Sequence, residues 1–118
     1  MNSGCAVIAS HAIGAAPYLL ENGKNGIIYE NENQQILNEA AAFLMKHPEK
    51  REEYGRNAYE TLKTLWNAEV AARRIIALHK HLSQGQTEPL FETGPCSPAE
   101  PYRNEDTLVL ADPAAWKD

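Results

Sequence analysis

The sequence predicts an α/β body of two short parallel strands and four helices, followed by an irregular acidic tail. Three observations carry this. A continuous apolar run lies near the start, a second β-branched run follows one helix and a turn, and three amphipathic stripes come next. Strand, helix, strand in that order is a βαβ unit, whose crossover is right-handed when the strands are parallel.

The first strand is Ala6-Val7-Ile8-Ala9, an uninterrupted apolar run of the kind that is buried on both faces of a parallel sheet. A loop over residues 10–17 follows, and Pro17 fits the first helical position, where its missing N–H costs nothing. A short helix over Tyr18, Leu19, Leu20 and Glu21 is stopped by Asn22-Gly23. Lys24-Asn25-Gly26 then turns the chain into the second strand, Ile27-Ile28-Tyr29. Two such strands are too few for an independent sheet, so the first strand calls for neighbours upstream.

The next helix starts near Asn31 or Asn33, with Gln34 in a capping-box position relative to Asn31. Ile36, Leu37, Ala40, Ala41 and Leu44 share one of its faces. It ends at His47, because a residue before proline is disfavoured in the helical region. Pro48 opens the third helix, with Tyr54, Ala58, Leu62 and Leu65 as its stripe and Gly55 weakening it by about 1 kcal/mol relative to Ala. Asn67 caps the fourth, whose stripe is Ala71, Ile75, Leu78 and Leu82; Ser83-Gln84-Gly85 closes it. In the tail only Leu108-Val109-Leu110 reads as a strand.

Charge divides the chain at the same place. Residues 1–83 carry 9 basic and 9 acidic side chains, whereas residues 84–118 hold the whole net charge of −5 and five of the 7 prolines. We therefore expect a neutral body over residues 1–83 and an acidic, Pro-rich tail over residues 84–118. A neutral body without a basic cluster argues against nucleic acid as a partner. At 43% hydrophobic the chain is not disordered, yet it lacks any run of about 20 apolar residues that would span a membrane. Its first twenty residues have no Asp, Glu, Lys or Arg, and Ser10, His11, Gly14 and Pro17 interrupt their apolar stretch, so they are not a signal peptide. Two cysteines, Cys5 and Cys96, make no disulfide framework, which points to the cytoplasm.

The loop over residues 10–17 holds the candidate site. It leaves the carboxyl end of a strand and enters a helix, and open α/β sheets bind ligands at that edge. A helix start there suits phosphate, and Gly14, Ala15 and Ala16 are small enough to admit a ligand to the backbone. A tight βα turn without a ligand satisfies the same pattern. His11 has the chemistry of an acid, a base or a hydrogen-bond donor, or is simply structural. His79 and His81 point to different helix faces and cannot share a metal, and the two cysteines have no local partners, so neither metal nor cofactor is expected. Arg73, Arg74 and Lys80 read as a solvated helix face.

The string MNSGCAVIASHAIGAAPYLLENGKNGIIY resembles the C-terminal half of the retaining GT-B glycosyltransferases of family 4, also called group 1. Met1-Asn2-Ser3-Gly4 is similar to the end of a family helix and its turn, and Cys5-Ala6-Val7-Ile8-Ala9 to the strand that follows. Gly14-Ala15-Ala16-Pro17-Tyr18 stands on the family's Gly-Gly-x-Pro-Glu loop, with Ala15 and Tyr18 replacing its second glycine and its glutamate. Residues 21–28 stand on its Asp-Gly-x-x-Gly turn and strand. Helices opening at Gln34 and Pro48, then Trp66 before the last helix, extend the likeness to residue 82.

The resemblance implies a partial Rossmann-like, donor-binding domain and an enzyme that moves a sugar, with retention, from a nucleotide-sugar donor to a saccharide or lipid-linked acceptor. Cell-envelope polysaccharide biosynthesis is the expected setting. The donor-binding residues it implies are Ser10, His11, Gly14 and Ala15; no catalytic residue, metal or cofactor is assigned. The family's paired glutamates would precede Met1, and its acceptor-binding N-terminal domain is absent from this sequence, so the chain reads as a fragment, inactive alone. No membrane span is implied, although the parent enzyme is compatible with a peripheral place at the membrane. The alternative is a non-catalytic interaction module, or a remnant that docks on another chain.

Overall fold

The computed structural model describes residues 1–99 and 103–117, apart from the side chain of Asn104. Pro101 of the Pro-rich tail lies outside the described residues. In chain order the elements are β1 (Ile8–Ser10), α1 (Ala16–Leu19), β2 (Ile27–Tyr29), α2 (Gln34–Lys46), α3 (Pro48–Thr64), α4 (Ala68–Ser83) and α5 (Asn104–Thr107). Two 3₁₀ turns follow, Leu108–Ala111 and Pro113–Ala115. β1 and β2 pair in parallel, with Ile8 opposite Ile27, Ala9 opposite Ile28 and Ser10 opposite Tyr29. The βαβ order and the parallel pairing agree with the sequence.

Local chemistry explains the boundaries. Helix α1 is a single turn that begins at Ala16, before Pro17, and its successor Leu20 is already extended. It does not run on to Glu21, because Asn25 captures the end. The Asn25 side chain accepts from Glu21 N at 2.7 Å and donates to the Leu19 carbonyl at 3.0 Å. It also reaches Thr61 Oγ1 at 3.1 Å, tying the turn to α3. Helix α2 is capped by Asn33, whose Oδ1 accepts from Ile36 N at 3.1 Å, and not by Asn31. Glu32 stands at φ 64°, outside the helical region, so no helix can start before it. Asn67 caps α4 through Val70 N at 2.9 Å, as its sequence position predicts.

The core lies between the sheet and α2 and α3. Ile27, Ala40, Leu44 and Tyr54 form it, with Ala6, Ile8, Ile36 and Phe43 packed around them. Tyr54 is 2% exposed; burying a side chain of that size is worth on the order of 2–3 kcal/mol. Gly55 is why α3 can come so close. A Cβ there would stand 2.1 Å from the Gly4 carbonyl oxygen, so the residue that weakens the helix makes room for the chain entering β1.

Four more expectations are corrected. The first strand starts at Ile8, not Ala6, and of its residues only Ala9 and Ser10 are buried, because β1 has a neighbour on one side only. Helix α4 does not bury the stripe through Ile75 and Leu82. Ile75 is 59% and Leu82 55% exposed, and no residue of the helix is buried, since few residues of the other elements reach it. Leu108-Val109-Leu110 is no strand but part of a 3₁₀ turn that packs on β2 without pairing with it. Arg74 is likewise not a solvated cation. It stacks over the Phe91 ring at 4.4 Å and donates to the Thr93 and Pro95 carbonyls, folding residues 91–95 against α4.

Residues 103–117 return to the body. Trp116, 3% exposed, completes the core cluster and meets Phe43 edge-on at 5.4 Å. Lys117 pairs with Glu39 on α2.

Candidate functional site

The carboxyl ends of β1 and β2 meet at residues 10–11 and 29–31. His11 N donates to the Tyr29 carbonyl at 2.9 Å, extending the ladder one residue past the strand. Ser10 Oγ accepts from Ala12 N at 3.1 Å and donates to Asn31 Oδ1 at 3.1 Å. The Asn31 amide donates to His11 Nδ1 at 2.9 Å, which leaves the proton of the neutral ring on Nε2. Ser10 and His11 are both buried. Their side chains thus lock the end of β1 to the segment after β2.

Gly14 and Ala15 are placed differently. Residues 10–16 form two successive turns, Ile13 N donating to the Ser10 carbonyl at 3.1 Å and Ala16 N to that of Ile13 at 2.9 Å. Gly14 and Ala15 form the exposed outer part of the second turn. Among the described residues nothing accepts from either amide. A Cβ on Gly14 would touch nothing within 4 Å. The four sequence candidates therefore form one loop with two roles. Ser10 and His11 build its base, and Gly14 and Ala15 present backbone donors at its rim.

Beside the loop, an apolar groove of about 270 Å³ runs along the free edge of β1, lined in part by Val7, Ile8, Ile13 and Leu19. Among the described residues no three His, Cys, Asp or Glu side chains gather as metal ligands. No helix among them is long and apolar enough to cross a membrane.

Two side chains that hold the strands and their loop escape sequence reasoning. Asn22, read only as a helix stop, accepts from Ile28 N at 2.9 Å through Oδ1 and holds the start of β2. Thr107, 96 residues along from His11, donates through Oγ1 to the His11 carbonyl at 3.1 Å. The repeated Asn-x-x-Asn spacing at Asn22 and Asn25 is a local signal for side-chain caps. Nothing local marks Thr107.

The loop, both strands and helix α2 fall within a stretch, residues 1–61, that matches the family model of glycosyl transferases group 1. That is more than half of the 118 residues. The chain belongs to the group 1 glycosyltransferase family. No curated protein and no solved structure matches it. The matched stretch ends inside α3, so α4 and the tail lie beyond it.

Proposed function

We propose that the chain is the nucleotide-sugar-binding part of a retaining GT-B glycosyltransferase, with Gly14 and Ala15 meeting the donor and Ser10 and His11 holding their loop in place. The observation that carries this reading is the pair of exposed, uncommitted amides at Gly14 and Ala15, inside the family-matched stretch and at the carboxyl end of a parallel strand. Fixed amides of this kind stabilise the charge that develops on a departing diphosphate, and they need no rearrangement to do so. The acceptor, a saccharide or a lipid-linked saccharide of the cell envelope, would be delivered by a facing domain. Holding both reactants in register supplies about 7–11 kcal/mol in favourable cases, which half a cleft does not provide.

Calorimetric titration with uridine- and guanosine-diphosphate sugars tests this. Weak, saturable binding by the wild type is expected, reduced about tenfold or more in Gly14→Leu, an effect of about 1.4 kcal/mol. Because Gly14 faces open space, the variant folds normally, and an unchanged unfolding temperature checks that. Binding that ignores the substitution overturns the reading. The interaction-module alternative draws on Ile75, Ile76 and Leu82, all more than half exposed on α4. It gains if neither the wild type nor Gly14→Leu binds any nucleotide sugar.

A further inference from the structure

We propose that the open face of α4 is a self-docking surface, on which a second copy of this chain lays its own α4 in the antiparallel direction. The inference goes beyond the donor-site reading and does not rest on it, since α4 lies outside the family-matched residues.

Helix α4 is covered on one flank and open on the other. On the covered flank Arg74 donates to the Thr93 and Pro95 carbonyls, and His81 Nε2 donates to the Glu88 carbonyl at 2.7 Å. Ala71 and Leu78, on the same flank, are partly buried. The other flank carries Ala68, Ala72, Ile75, His79 and Leu82, at successive steps of four, three, four and three residues, with Ile76 alongside. All six are exposed, Ile75, Ile76 and Leu82 by more than half. Steps of three and four keep a seam on one side of a helix, and helices that pair along their length use that spacing.

Size and charge along the seam commit it to one occupant and one direction. Its start is small, with Ala68 and Ala72, and its end is large, with His79 and Leu82. A two-fold axis at Ile75 sets Ile75 against its copy, and the alanine end of each helix against the His79 and Leu82 end of the other. Large side chains then meet small ones, the arrangement that fills an interface without voids. Charge follows the same order. No Asp, Glu, Lys or Arg interrupts the seam. Glu69 and Lys80, both exposed, are eleven residues or about three turns apart, so they lie on the same border of the seam at its opposite ends. The antiparallel pair brings each Glu69 beside the Lys80 of the other copy. A parallel pair would instead set Glu69 against Glu69 and Lys80 against Lys80.

The contact is small. With 16 residues α4 is about 24 Å long, which keeps the buried area at or below the ~1,200 Å² where stable interfaces begin. The dimer is therefore in equilibrium with monomer, with a dissociation constant in the micromolar range.

The experiment is sedimentation equilibrium of the full chain over a range of concentrations, which should show a monomer–dimer transition. Ile75→Glu sets two carboxylates together at the axis and should weaken association at least tenfold. Ile75 is 59% exposed, so the variant folds, and unchanged helicity in dilute solution checks that. Glu69→Lys and Lys80→Glu leave the apolar seam intact. Each alone should weaken association about threefold or more, and the two combined in one chain should restore it. A chain that stays monomeric to about 1 mM overturns the proposal. A dimer that Ile75→Glu leaves intact also overturns it and moves the contact elsewhere, the free edge of β1 being the first place to look. If Ile75→Glu breaks the dimer but neither charge change weakens it, or the combined variant fails to recover, the antiparallel pairing falls and the proposal with it.

Discussion

Gly55 shows how a single residue is misjudged without its surroundings. By helix propensity, Ala at this position would gain about 1 kcal/mol. In the structure the same methyl group would collide with the Gly4 carbonyl and approach Ala6 N at 3.3 Å, both rigid backbone. Overpacking of that kind costs about 1–3 kcal/mol. Gly55→Ala is therefore expected to lower stability in chemical denaturation, and a gain would show that residues 4–6 are not held against α3. His11 is the converse case. Its chemistry invites a catalytic role, but its Nδ1 is spent on the Asn31 amide, and its ring closes the loop base.

At the scale of elements, caps and prolines were legible because their bonds are local. Asn33 and Asn67 each satisfy an amide three residues on, and His47-Pro48 separates α2 from α3. Charges follow the helix dipoles too: Glu49 and Glu69 lie in first turns, and Lys46, Lys63 and Lys80 in last turns. Because α4 has no buried residue, its cap matters more than a cap on a well-packed helix does. Asn67→Ala is expected to cost about 1 kcal/mol. It should also raise amide exchange in the first turn of α4 while leaving α2 unchanged; equal protection in the variant would show that the cap is dispensable. The misread elements fail for one shared reason. A stripe such as Ile75 and Leu82 predicts burial only if something packs on it, and an apolar run such as Leu108-Val109-Leu110 becomes a strand only if its backbone is set to pair with a neighbour.

The whole molecule is held together across its length by the return of residues 103–117, and this makes part of its stability sensitive to acid. The Glu39 carboxyl is held below its ordinary value of 4.5 chiefly by the hydrogen bond from Lys117, and secondarily by that from Gln35. A carboxylate whose value is lowered by folding contributes stability that is complete above the unfolded value and is lost as pH falls through the lowered one. The contact of residues 103–117 with α2 should therefore loosen as pH drops below 4.5. The indole N–H resonance of Trp116 reports this, and should move on acidification in wild type but respond less in Lys117→Ala. An acid response identical in both proteins would remove Lys117 from the account. In the opposite direction, burial raises the Tyr54 phenol above 10.0, so its contribution is present at neutral pH and is lost only as alkali carries it through the raised value.

By itself the sequence determined what depends on neighbours along the chain: the βαβ order, the parallel strand pair, the capped helices, and the loop motif that places the protein among the group 1 glycosyltransferases. These rest on periodicity, capping atoms and small residues within a few positions of one another. The tertiary structure alone decided which members of the loop are free. Ser10 and His11 are committed by Asn31, and Gly14 and Ala15 are not, because that depends on hydrogen bonds between segments twenty residues apart. It alone decided the place of the tail as well. Composition marks residues 84–118 as acidic and rich in proline, but the contacts of Thr107 with His11 and of Trp116 with the core join positions that no local pattern links. Such contacts form only once the strands and α2 have built the surface that receives them.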